Sequence, residues 1–160
     1  MPRLQMGDTY LEISIQEYMY YDMQWGKINV EVKNRFIHYE YRNKELLTKD
    51  EVEFIIMNLE QLLSGEMKEE IMIGGMEPNL SFLLVPGTPY EQCRMSVDIL
   101  FEGSNGYCGG HWSSTYIEQK MIEKFLQELK KEHDRCVKNM EQVAKSYENC
   151  DDILFTVKNP

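Results

Sequence analysis

The hydrophobic period of this chain switches from two to 3.6 near Thr48, returns to two by about Glu69, and becomes 3.6 again after Thr115. A period of two belongs to a half-buried strand and a period of 3.6 to an amphipathic helix. The alternation therefore excludes both a helical bundle and an all-β fold. Leu11, Ile13 and Ile15 alternate with Glu12, Ser14 and Gln16 in a strand over about 10–18. Ile28, Val30 and Val32 repeat the pattern opposite Asn29 and Glu31, and Ile37, Tyr39 and Tyr41 repeat it opposite His38 and Glu40. Short polar joints between the three predict an antiparallel meander.

Thr48-Lys49-Asp50-Glu51 has the spacing of a capping box, in which the Thr hydroxyl accepts from the Glu amide and the Glu carboxylate accepts from the Thr amide. Val52, Ile55, Ile56, Leu59, Leu62 and Leu63 then share one stripe, and Gly65 suits a left-handed C-cap, so the spacing predicts a helix over 49–64. Further strands follow at Ile71 and Ile73, at Leu80, Phe82 and Leu84, at Met95, Val97, Ile99 and Phe101, and briefly at 111–113. Met76-Glu77-Pro78-Asn79 reads as a turn. Thr115-Tyr116-Ile117-Glu118 offers a second capping box. It would open a helix over 116–147, about 48 Å long, with a break near His133 and Asp134 or an overhang beyond the sheet. Ile153 to Val157 reads as a terminal strand. The expected fold is α+β: a mostly antiparallel sheet of six to eight strands with two helices on one face. It forms a single domain over 1–160, with a helical and terminal-strand extension at about 131–160.

Asp and Glu number 27 against 17 Lys and Arg, a formal net charge of -10. That balance points to a basic partner and away from nucleic acid or an anionic membrane, which would repel such a chain. No apolar run approaches the ~20 residues of a membrane span, and no basic segment followed by an apolar one opens the chain, so a cytoplasmic protein is expected. Cys93, Cys108, Cys136 and Cys150 lie too far apart for a zinc ribbon and read as reduced thiols. The eleven methionines read as gap-fillers of the core.

No constellation reads as catalytic. Cys108-Gly109-Gly110-His111-Trp112 resembles the nucleophile run of papain-like proteases, but His111 occupies the nucleophile position and only 48 residues follow Trp112. The segment reads as a glycine-rich hairpin turn. His133 and Cys136, at i and i+3, would share a helix face as metal ligands do, yet any amphipathic stripe gives the same spacing. Phosphate-binding and nucleophile-elbow motifs do not occur, and neither a cofactor nor a metal is expected.

The informative polar residues are instead the outward ones of the strands. Glu12, Glu31, Glu40 and Asp98, with Asn29, His38 and Gln16, would form an acidic sheet face for a partner, although a polar face turned to water looks the same in sequence. Glu66, Glu69, Glu70 and Glu77 form a second acidic group after the first helix.

Three segments carry a family resemblance: Trp25-Gly26-Lys27-Ile28-Asn29-Val30-Glu31-Val32, Leu47-Thr48-Lys49-Asp50-Glu51, and Met76-Glu77-Pro78-Asn79-Leu80-Ser81. Together with the strand feeding a helix over 112–129, they resemble the WapI-like family of bacterial immunity proteins. The likeness covers about 10–130, and Lys131 to Pro160 departs from it. The resemblance implies a non-catalytic protein that neutralises the toxic domain of a polymorphic wall-associated toxin. Such toxins are often nucleases with basic clefts, which an acidic partner can steer toward and occlude. The competing readings are a small enzyme of unrecognised type and a housekeeping interaction module. The sequence does not specify an oligomeric state.

Overall fold

The computed structural model describes residues 1–36, 38–76, 79–88, 93–102 and 108–156, and their side chains except those of Asp22, 99–102, 108–115 and 148–156. The strands β1 (Arg3–Met6), β2 (Thr9–Tyr18), β3 (Trp25–Lys33) and β4 (His38–Thr48) pair antiparallel in chain order and lead into the helix α1 (Lys49–Ser64). The order then repeats with β5 (Ile71–Gly74), β6 (Leu80–Val85), β7 (Arg94–Glu102) and β8 (Cys108–Tyr116), followed by α2 (Gln119–Thr156). The α+β class, the antiparallel pairing and the two helices hold as read from sequence. Among the described residues, eight strands are shared between two four-stranded sheets.

One core joins the halves. Leu4, Leu11, Ile13, Ile15, Ile28, Val30 and Val32 of the first sheet belong to the same buried cluster as Phe82, Leu84, Met95 and Val97 of the second, with Ile55 and Leu59 of α1 and Phe125 and Leu129 of α2. Helix α2 lies along β1 and β2, α1 reaches β4 and β6, and the helices touch each other. Gly26 sits where chains approach closely: a Cβ there would lie 3.0 Å from the Leu47 carbonyl oxygen and 3.0 Å from the Tyr18 ring.

The first helix has the bounds its sequence predicts, with both halves of the capping box formed and Gly65 left-handed at φ 75°. The second does not. Thr115 and Tyr116 are still in β8, opposite Met95 and Arg94, so the second capping box is absent and α2 starts at Gln119. From there no glycine or proline interrupts the chain before Thr156, and the helix passes His133 unbroken for about 57 Å. Ile153 to Thr156 are therefore helical, and the expected terminal strand does not form; Val157 lies outside the described residues. The short strand β1 has no counterpart in the sequence reading, and β8 is longer than expected. Cys108, Gly109 and Gly110 are already within β8, and the turn before them lies outside the described residues, as do Ile37 and the Glu77-Pro78 pair.

Four methionines, Met6, Met67, Met95 and Met140, fill the core as expected, but Met1, Met23, Met57, Met72 and Met76 are exposed.

Candidate functional site

Antiparallel register brings three of the four expected acidic residues together. Glu12 stands opposite Glu31, and Glu31 opposite Glu40, so the carboxylates form a row across β2, β3 and β4 on the outer face of the first sheet. They line a depression of about 310 Å³ with Ser14, Asn29, Tyr41 and Arg42. Asp98 is not part of the row. It lies on β7 of the second sheet, opposite Ser81 and Trp112, beside a depression of about 90 Å³ that Met72, Leu83 and Ser96 also line. Alternation along each strand correctly puts all four outward, but it carries no information on which sheet a strand joins.

Each carboxylate of the row already has a basic or hydroxyl partner. Arg3, the next residue across on β1, reaches Glu12 at 3.0 Å, and Arg42 reaches Glu40 at 2.6 Å. Glu31 accepts from the Tyr10 hydroxyl at 2.9 Å and from His38 Nε2 at 2.8 Å. Partial burial pushes the Glu31 carboxyl up, but the Tyr10 and His38 hydrogen bonds outweigh it and hold the group below the usual carboxylate range. The row is a set of oriented acceptors whose charge is largely offset.

The net charge lies elsewhere, in a way that residue counts along the sequence would have revealed. Residues 1–48 carry 7 acidic against 6 basic groups, residues 49–118 carry 12 against 3, and residues 119–160 carry 8 against 8. The excess of acid therefore belongs to α1, the second sheet and their connections. Glu66, Glu69 and Glu70 are exposed in the α1–β5 connection, whereas Glu77 lies outside the described residues. On α1, Glu53 is paired with Lys49 at 2.9 Å and Glu60 with Lys130 of α2.

His133 and Cys136 are spent on internal bonds. His133 Nδ1 is 2.9 Å from the Tyr18 hydroxyl and its Nε2 is 3.4 Å from Glu53, which ties β2, α2 and α1 at one buried point. The Cys136 thiol points at the carbonyls of Ile15 and Gln16, and burial pushes its pKa up. The same stretch of α2 seals the edge of β2. Pro2 is the last residue on the β1 side to pair with that edge, accepting from the Ile13 amide. Beyond it the Ile15 amide donates to Glu132, and the Ile15 carbonyl accepts from Arg135. Cys93 and Cys136 are free thiols. Among the described residues, no group of three or more His, Cys, Asp or Glu side chains is placed to hold a metal ion, and no helix is long and apolar enough to cross a membrane.

The molecule is thus two antiparallel meanders, each followed by a helix, and the first sheet carries a polar outer face. The family model described as the Immunity protein WapI-like family matches residues 3–136, and the chain belongs to that family. No curated protein and no solved structure matches it.

Proposed function

We propose that the protein binds a cognate toxin domain and neutralises it stoichiometrically, without turnover, in the cytoplasm of the cell that makes the toxin. Membership of an immunity family over residues 3–136 carries this reading. The partner is a basic domain of nuclease type: a chain of net charge -10 is drawn to a basic cleft and repelled by the nucleic acid that such a cleft would otherwise hold. Docking is assigned to the outer sheet face bearing Glu12, Glu31 and Glu40, with Asp98 on the second sheet as an outlying contact. The depression along the glutamate row supports this choice, since its carboxylates are already oriented and can exchange Arg3 and Arg42 for cations of the partner.

The test uses the purified chain with the toxin domain encoded beside its gene. Changing Glu12, Glu31 and Glu40 to Gln and Asp98 to Asn should slow association by roughly tenfold at low salt, flatten the salt dependence and reduce protection of cells. A folded quadruple variant that associates at the wild-type rate would remove the face assignment. Failure of the wild-type chain to bind or inhibit that toxin would remove the immunity reading itself.

A further inference from the structure

Met95 and Val97 of β7 are buried in the core, so Arg94, Ser96 and Asp98 alternate onto the outer face of the second sheet. Ser96 is only 2% exposed, yet its hydroxyl has no hydrogen-bond partner, and neither has the buried Nε of Arg94. Among the described residues Asp98 has no hydrogen-bond or ion-pair partner either. The cations of residues 49–118 do not serve it: Lys49 is held by Glu53, Lys68 by the Gly65 carbonyl, and Arg94 stands four residues away along the strand. Buried polar groups in a folded chain are nearly always bonded, so two orphans at alternate positions of one strand face call for a partner from outside.

Ser96 and Asp98 border a depression of about 90 Å³, which Ser81, Leu83 and the 71%-exposed Met72 also line. Pockets for small molecules begin near ~300 Å³, so this one fits a single protein side chain. The apolar wall of Met72 and Leu83 suits the methylene stem of a lysine or arginine, and the Asp98 carboxylate beside it suits the charged head. The first sheet offers the opposite case, since Arg3, Arg42, Tyr10 and His38 already occupy its three glutamates.

We propose that the outer face of β7 grips the bound toxin domain, through a segment about 13 Å long that brings a carbonyl to Arg94, a hydrogen-bonding group to Ser96 and a lysine or arginine side chain to Asp98. This deepens the toxin-binding reading and rests on it. Charge selects this occupant over a second copy of the chain: residues 49–118 carry 12 acidic groups against 3 basic, so two copies repel each other here while a basic domain is attracted. The face also lies within residues 3–136, the span that the family match covers. The two surfaces then divide the work. The glutamate row, whose partners must first be exchanged, guides approach, and the β7 face, whose groups stay unbonded until the toxin arrives, sets how long the complex lasts.

Ser96→Ala separates this role from a structural one. Deleting a hydroxyl that is unbonded in the free chain should raise the urea midpoint, yet the complex with the toxin domain encoded beside the gene should dissociate roughly tenfold faster, with association unchanged because no charge is lost. Asp98→Asn should speed dissociation roughly thirtyfold, and it keeps the proposal testable if Ser96→Ala misfolds. Glu12→Gln with Glu31→Gln and Glu40→Gln should slow association and leave dissociation within about twofold of wild type. If the wild-type chain binds and both β7 variants dissociate at its rate, the proposal is overturned and the immunity reading stands; a wild-type chain that does not bind removes both. A lowered urea midpoint for Ser96→Ala would also overturn it, by showing the hydroxyl to be bonded within the chain. So would a free chain that doubles its mass of 19.0 kDa in light scattering and loses the doubling on Asp98→Asn, which would make a second copy the occupant.

Discussion

His133 shows how one residue can be misleading in sequence and decisive in the fold. Its spacing from Cys136 suggests a ligand pair, whereas both groups face inward and satisfy neighbouring elements. With its single proton on Nε2 directed at Glu53, the neutral ring accepts the Tyr18 hydroxyl at Nδ1, and Glu53 is itself held by Lys49. Burial holds the His133 pKa below its ordinary 6.5, against the opposing pull of Glu53 and Asp134. A folded pKa below the unfolded one means that the unfolded chain binds the proton more readily. The stabilisation is thus complete above about pH 6.5 and is lost as pH falls through the folded value, at ~1.4 kcal/mol per unit of separation. Wild-type stability measured by urea titration should fall between about pH 7.5 and 5, and a His133→Gln variant should show a shallower fall over that range. Parallel curves for the two proteins would contradict this account. The cost of the substitution at neutral pH should be ~1–3 kcal/mol, because the buried Tyr18 hydroxyl loses its partner.

At the scale of elements, the best-read helix is the one whose ends are closed by local bonds. Thr48 Oγ1 accepts from the Glu51 amide at 3.3 Å, and Glu51 Oε2 accepts from the Thr48 amide at 2.7 Å. The second Glu51 oxygen accepts from the Met76 amide at 2.6 Å, fastening the chain beyond β5 to the start of α1. Thr48→Ala should cost about 1 kcal/mol, as the loss of a cap does. Glu51→Ala should cost about 1 kcal/mol more, because two amides lose an acceptor instead of one. Denaturant unfolding of the two variants decides the point, and equal costs would show the Met76 bond to be without weight. The same Thr-x-x-Glu pattern misleads at Thr115, where pairing with Met95 keeps the residue in a strand. Local chemistry permits a cap there, but the ladder it must leave is non-local. The apolar run at Ile153 misleads in the opposite sense: a strand needs a neighbour, while an unbroken helix can simply continue. Strand β1 escapes notice because Arg3–Met6 is too short for its alternation to stand out. The glutamate row was legible only in part. Alternation gives the facing of Glu12, Glu31 and Glu40, but their adjacency comes from register, and the separation of Asp98 from the division into two sheets.

For the whole molecule, the two meander-and-helix units are bound by one buried cluster, to which both sheets and both helices contribute. Neither unit keeps a closed core without the other, so the protein should unfold in a single cooperative transition. Calorimetric and van't Hoff enthalpies should agree, and two resolved transitions would show that each unit is stable alone. The charge is less evenly spread than the core. For the basic partner proposed above, long-range attraction would favour the half containing residues 49–118, where the excess acid lies, with the glutamate row engaged only at short range.

The sealing of β2 by α2 has a consequence for the order in which the chain can mature during synthesis. The Ile15 amide finds its acceptor on Glu132, 117 residues later in the sequence. Until that part of α2 has left the ribosome, the edge of β2 beyond Pro2 presents unpaired backbone groups, the template on which strands of other chains can add. Chains that stop before Glu132 should therefore aggregate through the first meander, even though every strand of that meander has already been made.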